Sequence, residues 1–368
     1  MHPTKIEWTD FAWNPIRARN RETGEVGHYC QKISPACTHC YAAAFNVQQR
    51  HRRKDGQPGK SGTGLDFVPA SLPRLELFVD REELLSPLRR KKPTRIFVCD
   101  MTDLFLSEHS VAWLDMVLAV MALCPQHTFQ VLTKRPRRMS EYMALLKTAA
   151  EDWQRKVGSN FTETDVLNFR WLSAWNPALA PGGAIPHNSW PLPNVHFGVT
   201  VEDQVRAEER LPLLAATPAA ARFVSYEPAL EQVDFERINA GNGYRLDALR
   251  GNLHGLITRD IKPTGRIDQI ICGGESGPKS RPSDPAIFRR TRDACDRANV
   301  AFFFKQHGDW CAFEDIPEEW LRTHDIEAFP SQMIGERSVH RIGKSNAEAM
   351  LDGQEWRETP ALAQLRRG

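Results

Sequence analysis

The chain has 368 residues, enough to bury a large core as one big α/β domain or two smaller ones. Hydrophobic residues make up 41% and charged residues 26%, and a formal net charge of +2 creates no global field that demands a polyanionic partner. No apolar run is long enough to span a bilayer, and the N-terminus lacks the apolar stretch of a signal peptide, so the sequence predicts a cytoplasmic protein with no membrane contact.

In chain order, a first strand is expected within residues 6–16. It feeds a polar loop that carries Cys30, Cys37 and Cys40. Short, continuously apolar segments then recur at 95–99, 128–133, 195–200, 222–226, 269–272 and 301–304, with an apolar-faced helix at 111–121. Continuous rather than alternating hydrophobicity predicts burial on both faces, as in a parallel sheet built of βαβ units. Each strand releases charged residues at its C-terminal end: Asp100 and Asp103, Lys134, Glu202, Glu227, Glu275, and Lys305. In a parallel α/β barrel that end carries the site. The expectation is a full or partial (β/α) barrel, with an open doubly wound sheet as the alternative.

Residues 1–308 read as one barrel-like domain with two insertions. One, at about 151–193, holds Trp171, Trp175 and Trp190, and the other, at about 235–265, is rich in Gly, Asn and Arg. Residues 309–368 read as a polar, helical C-terminal extension packed on the barrel, with turns at Gly343-Lys344 and Asp352-Gly353.

Of the 8 cysteines, Cys99, Cys124, Cys272, Cys295 and Cys311 lie mostly inside apolar runs and read as buried free thiols. Cys30, Cys37 and Cys40, spaced C-x6-C-x2-C, predict a metal site. Three thiolates suit an iron–sulfur cluster with one open iron, which S-adenosylmethionine needs if it is to be cut into a radical. Zinc, with His28 or His39 as a fourth ligand, fits the spacing equally well.

The stretch KIEWTDFAWNP at 5–15 and the cysteine loop at 30–41 resemble a family of phage-associated proteins of unknown function. That family is regarded as a divergent branch of the radical S-adenosylmethionine (radical SAM) superfamily. The likeness continues through RIFVCDMTDLF (95–105), TFQVLTKRP (128–136), NVHFGVTVEDQ (194–204), RFVSYEP (222–228), IICGGESGP (270–278) and FFFKQHG (302–308). The superfamily's usual loop is C-x3-C-x2-C with an aromatic residue before the last cysteine; here the first gap is longer and His39 fills that slot.

The resemblance implies a barrel of the radical SAM type and a [4Fe–4S] cluster on Cys30, Cys37 and Cys40. It further implies an enzyme that cleaves S-adenosylmethionine reductively, supplied with electrons by a reductant protein. Asp100 and Asp103 would then meet the cosubstrate's ammonium or ribose, with Glu202, Glu227 and Glu275 behind them. Lys134 and Lys305 would meet its carboxylate or the substrate. Tyr41 and His39 would shield the cluster.

Gly273-Gly274-Glu275-Ser276-Gly277 lacks the partners of a dinucleotide or P-loop motif, so a plain turn stands beside a cosubstrate-binding role. Three basic clusters, at 50–54, 89–92 and 134–138, raise nucleic acid as a partner; the third lies at the site end of its strand. The competing functions are a radical enzyme, a zinc-stabilised binding protein associated with nucleic acid, and a barrel without chemistry that works through a partner protein.

Overall fold

The structure, a computed structural model, describes residues 1–48, 62–157 and 191–360. The aromatic insertion (from 158 to 190) and the basic cluster at 50–54 lie outside the described residues. The core element is an eight-stranded, mostly parallel sheet. Its strands are β1 (His2–Pro3), β2 (Phe11–Trp13), β3 (Arg95–Val98), β4 (Thr128–Thr133), β5 (Val195–Thr200), β6 (Ala221–Tyr226), β7 (Gln269–Gly273) and β8 (Ala301–Gln306).

Spatial order follows chain order from β1 to β8, with β1 antiparallel to β2. The pairs β2–β3, β3–β4, β6–β7 and β7–β8 are parallel. A doubly wound sheet reverses direction at a switch point, and this order has none. The closed barrel is not formed among the described residues, because β1 and β8 are the sheet's two edges. The β8 edge does not stay bare: Phe304 N–H donates to Trp356 O at 2.9 Å and Glu358 N–H to Phe302 O at 3.2 Å. That cover limits the edge-to-edge pairing a free strand invites.

The helices are α1 (Tyr41–Gln48), α2 (Val111–Ala122), α3 (Pro136–Val157), α4 (Gln204–Ala216) and α5 (Pro285–Arg297), beside shorter turns. Local sequence sets their starts. Ser110 caps α2 by accepting from Trp113 N–H, and Asp284 caps α5 from Ala286 N–H with Pro285 at the first helical position. Between β6 and β7 a four-stranded antiparallel sheet replaces the helix, with strands Ile238–Gly241, Tyr244–Asp247, Asn252–Gly255 and Ile261–Pro263. Asn242 and Gly243, both at positive φ, make its first turn, the residue pair a tight hairpin favours.

The expected helical tail is corrected. Among the described residues, those after β8 form a three-stranded sheet (Cys311–Ala312, Arg337–His340, Ser331–Ile334) and a hairpin (Met350–Leu351, Gln354–Glu355), with a six-residue α-helix at Glu318–Thr323. Its helix-favouring charges are interrupted by Gly335, Gly343, Asp352 and Gly353 at positive φ, which turn the chain too often for a long helix.

The chain divides into two compact units: Met1–Phe197 with Thr217–Ala220, and Gly198–Ala216 with Ala221–Gly368. Cys99, Cys124, Cys272, Cys295 and Cys311 are buried, free thiols.

Candidate functional site

In the first unit the loop after β3 organises its surroundings through two carboxylates. Asp103 is buried and accepts from Thr133 Oγ1 at 2.7 Å, Lys134 N–H at 3.0 Å, Phe105 N–H at 3.0 Å and Arg135 Nη1 at 3.0 Å. Arg135 also donates to Gln31 O at 3.0 Å, so one guanidinium ties the cysteine loop to the ends of β3 and β4. Asp100 is treated differently. It accepts from Asn14 Nδ2 at 2.6 Å and, more loosely, from Tyr41 Oη at 3.4 Å. Burial pushes its carboxyl above the usual carboxylate range, against the opposing pull of Asn14, His2 and Tyr41. Asn14 completes the bracket by accepting from Met101 N–H at 3.1 Å.

Tyr41 opens α1, and its hydroxyl donates to Asp100 O at 2.9 Å, which fixes the helix start against this loop. The inward face of α1 is small: Ala42 and Ala43 pack on Phe67, and buried Asn46 donates to Thr63 Oγ1 and Leu65 O, both at 2.7 Å. Its aromatic residues therefore point outward. Tyr41 is 48% and Phe45 53% exposed, one helical turn apart, with Ile33 of the cysteine loop at 44%.

The three cysteines do not make the expected centre. Among the described residues no group of three or more His, Cys, Asp or Glu side chains is arranged to hold a metal ion. Cys30 and Cys40 instead pack against Ala42, Ala43 and Phe67 as small apolar groups. Burial, with Asp103 adding to it, pushes the Cys30 thiol up to about 12, away from the thiolate a metal requires. Cys37 faces Ser34 Oγ at 3.7 Å; burial pushes its thiol up, but Lys134 and local hydrogen bonds outweigh that and lower it. Burial drives the His28 imidazole down to about 3. The iron–sulfur cluster, the zinc alternative, the S-adenosylmethionine role and the radical-enzyme assignment are corrected accordingly, and the need for a reductant protein goes with them.

In the second unit the strand-end charges meet each other. Glu202 and Arg210 form a fully buried pair at 3.0 Å, and Arg210 also donates to Thr200 O at 2.8 Å. Glu227 faces Lys305 at 3.1 Å and accepts from Ser225 Oγ at 3.3 Å. Glu275 takes Arg281 in a two-pronged pair, Nε to Oε2 at 2.8 Å and Nη2 to Oε1 at 2.6 Å. The glycines before Glu275 serve backbone approach. A Cβ on Gly274 would lie 1.9 Å from His307 O, and one on Gly308 2.2 Å from Glu275 O. The ends of β7 and β8 meet there main chain to main chain.

Internal contacts also thin out the basic clusters. Arg135 is held by Asp103, and Arg138 donates to the carbonyls of Leu106 and His109. Arg89 faces Glu82 at 3.6 Å, and Arg90 stacks 4.2 Å above the Phe11 ring. Lys134 and Arg137 remain without an ion pair among the described residues, and Arg137 is exposed. Sequence reasoning missed the parts played by Asn14, Arg135 and Phe45. The spacing of Tyr41 and Phe45 on one helix face was the available signal.

No helix among the described residues is long and apolar enough to cross a membrane. No curated protein and no solved structure matches the chain. Residues 3–360 match the family described as Protein of unknown function (DUF5131). The radical SAM branch expected from the sequence is therefore corrected: the chain belongs to the DUF5131 family, whose description assigns no function.

Proposed function

We propose that the protein binds single-stranded nucleic acid, without catalysis, on the first unit, through the outward face of α1 and the ends of β3 and β4. The observation that carries this reading is the pair Tyr41 and Phe45, half exposed one turn apart, with Tyr41 anchored by its hydroxyl to the Asp100 loop. Anchored aromatic faces stack on unpaired bases, and a duplex, whose bases are already stacked, offers them nothing comparable.

Lys134 and Arg137, which form no ion pair among the described residues, supply cations beside the loop that holds Asp103 and Arg135. Immediately after α1 the sequence reads Arg50-His51-Arg52-Arg53-Lys54, a basic run suited to a phosphate backbone. Asp100, whose carboxyl burial raises above the usual carboxylate range, can share a hydrogen bond with a base edge. Asp103, Glu202, Glu227, Glu275 and Lys305 are assigned to the internal networks that hold the strand ends.

Fluorescence anisotropy with a labelled single strand of about 12 nucleotides tests this, since binding sites of this kind span about 4–16 nucleotides. The parent protein is expected to bind with affinity falling linearly against log salt. Tyr41→Ala and Phe45→Ala should each weaken binding by about 1–3 kcal/mol. Absence of salt-dependent binding, or equal binding by the double variant, refutes the proposal.

A further inference from the structure

The four-stranded antiparallel sheet of the second unit ends in two turns that lie side by side, joined where Leu256 N–H donates to Gly243 O at 2.8 Å. The turn between Asn252–Gly255 and Ile261–Pro263 carries an apolar cluster. Ile257 is 89% exposed, Ile261 62% and Leu256 54%. Single exposed aliphatics are ordinary, but three of them gathered at one end of a sheet mark an interaction surface.

The turn is braced rather than loose. Gly255 N–H donates to Asp260 O at 2.9 Å, and Arg259 N–H donates to Gly255 O at 3.0 Å. Asp260 also accepts from Thr258 Oγ1 and pairs with Lys262 at 3.3 Å. With these polar groups turned onto one another, Leu256 and Ile257 are already held outward, and docking them costs little further ordering.

Charge complementarity selects the occupant. From Ile238 to Pro263 the sequence holds two carboxylates, and both are matched: Asp260 by Lys262, and Asp247 by Arg250 at 2.9 Å. Arg245 and Arg259 are exposed and form no ion pair among the described residues. Arg259 sits in the turn itself, and Arg245 follows Tyr244, which pairs with Gly255 at the same end of the sheet. An aliphatic tip with an unmatched cationic collar complements an anionic bilayer, where apolar groups enter the acyl boundary and arginines meet headgroups. Leucine and isoleucine offer bases no stacking face, and protein hot spots favour Trp, Tyr and Arg over leucine.

We propose that this tip docks the protein on an anionic lipid bilayer, with Leu256, Ile257 and Ile261 inserted and Arg245 and Arg259 at the headgroups. The expectation of no membrane contact concerned spanning segments and signal peptides; a tip lying in the headgroup region uses neither. The surface is independent of the nucleic-acid reading and shares no residue with it.

Co-flotation of the full chain with phosphatidylcholine vesicles, with and without about 30% phosphatidylserine, decides the matter. Binding to the anionic vesicles that weakens with salt, and little binding to the neutral ones, is expected. The double variant Leu256→Ser with Ile257→Ser should bind at least about tenfold more weakly. Its melting temperature should match the parent's, because both positions are exposed. Arg245→Gln should lose about fivefold, on anionic vesicles only. No binding to anionic vesicles, or equal binding by the serine variant, would overturn the proposal. A concentration-dependent dimer lost in the serine variant and indifferent to vesicles would assign the tip to a second copy of the chain and overturn it as well.

Discussion

In the second unit every acidic strand end meets a cation: Glu202 has Arg210, Glu227 has Lys305, and Glu275 has Arg281. In the first unit Asp103 is matched in the same way by Arg135, but among the described residues Asp100 takes amide and phenol donors and Lys134 forms no ion pair. Residue types at the two sets of strand ends are alike; what differs is whether the charges are consumed. A matched, buried network fixes the backbone and leaves little for a ligand to gain. Unmatched groups beside outward aromatics retain that capacity, and this locates the proposed interface in the first unit.

The sharpest way to break the comparison is to remove one partner from the buried network. Arg210→Ala removes the cation paired with Glu202, which has no solvent exposure, and should cost about 3–5 kcal/mol in urea unfolding. The double replacement Glu202→Gln with Arg210→Met should recover most of that loss. A single-variant cost under about 1 kcal/mol would place this pair with exposed ion pairs and undo the structural reading of the second unit.

The aromatic variants come next and must behave oppositely. Tyr41→Ala and Phe45→Ala together should abolish most strand binding; Phe45→Ala should change stability by only about 0.5 kcal/mol, and Tyr41→Ala should add about 1 kcal/mol through the lost hydrogen bond to Asp100 O. Tyr41→Phe separates the roles of ring and hydroxyl: stacking is kept and the tether to Asp100 is lost, so the affinity should fall between parent and alanine variant. A large loss of stability with binding intact would make α1 a structural helix only.

Lys134→Ala and Arg137→Ala should each reduce the slope of log affinity against log salt by about one, without altering preference among sequences. Arg138→Ala, already committed to the Leu106 and His109 carbonyls, should leave that slope unchanged.

The smallest effect concerns Asp100. Its folded-state pKa is raised by burial, so its contribution to stability is full below the ordinary carboxylate value near about 3.9 and is lost as pH rises through the raised value. Asp100→Asn keeps an acceptor for Asn14 and removes that loss. The variant should therefore melt higher than the parent at neutral pH, and the difference should vanish in acid. Equal melting temperatures across the whole range would show that Asp100 ionises freely.

Much of the fold was legible in the sequence. Runs such as Ile96-Phe97-Val98 and Ile270-Ile271-Cys272 are buried throughout and form central strands, as continuous hydrophobicity requires. Closure was not legible, because pairing between first and last strands depends on distant geometry and leaves no local pattern. The tail was misread because its charged residues favour helix while its glycines dictate turns, and the glycines prevailed. The cysteine trio misled for a related reason. Spacing along a chain does not fix where side chains point, and Cys30 and Cys40 turn into the packing beneath α1. Gly274 and Gly308 were visible as glycines, yet their purpose emerged only when the β7 and β8 ends were seen in main-chain contact.

The most direct test of the central claim is ultraviolet cross-linking of a single-stranded oligonucleotide to the full chain, followed by peptide mapping. Cross-links on the peptide carrying Tyr41 and Phe45, lost in the double alanine variant, are the predicted result. Cross-links confined to peptides of the second unit, or none at any salt concentration, would contradict it.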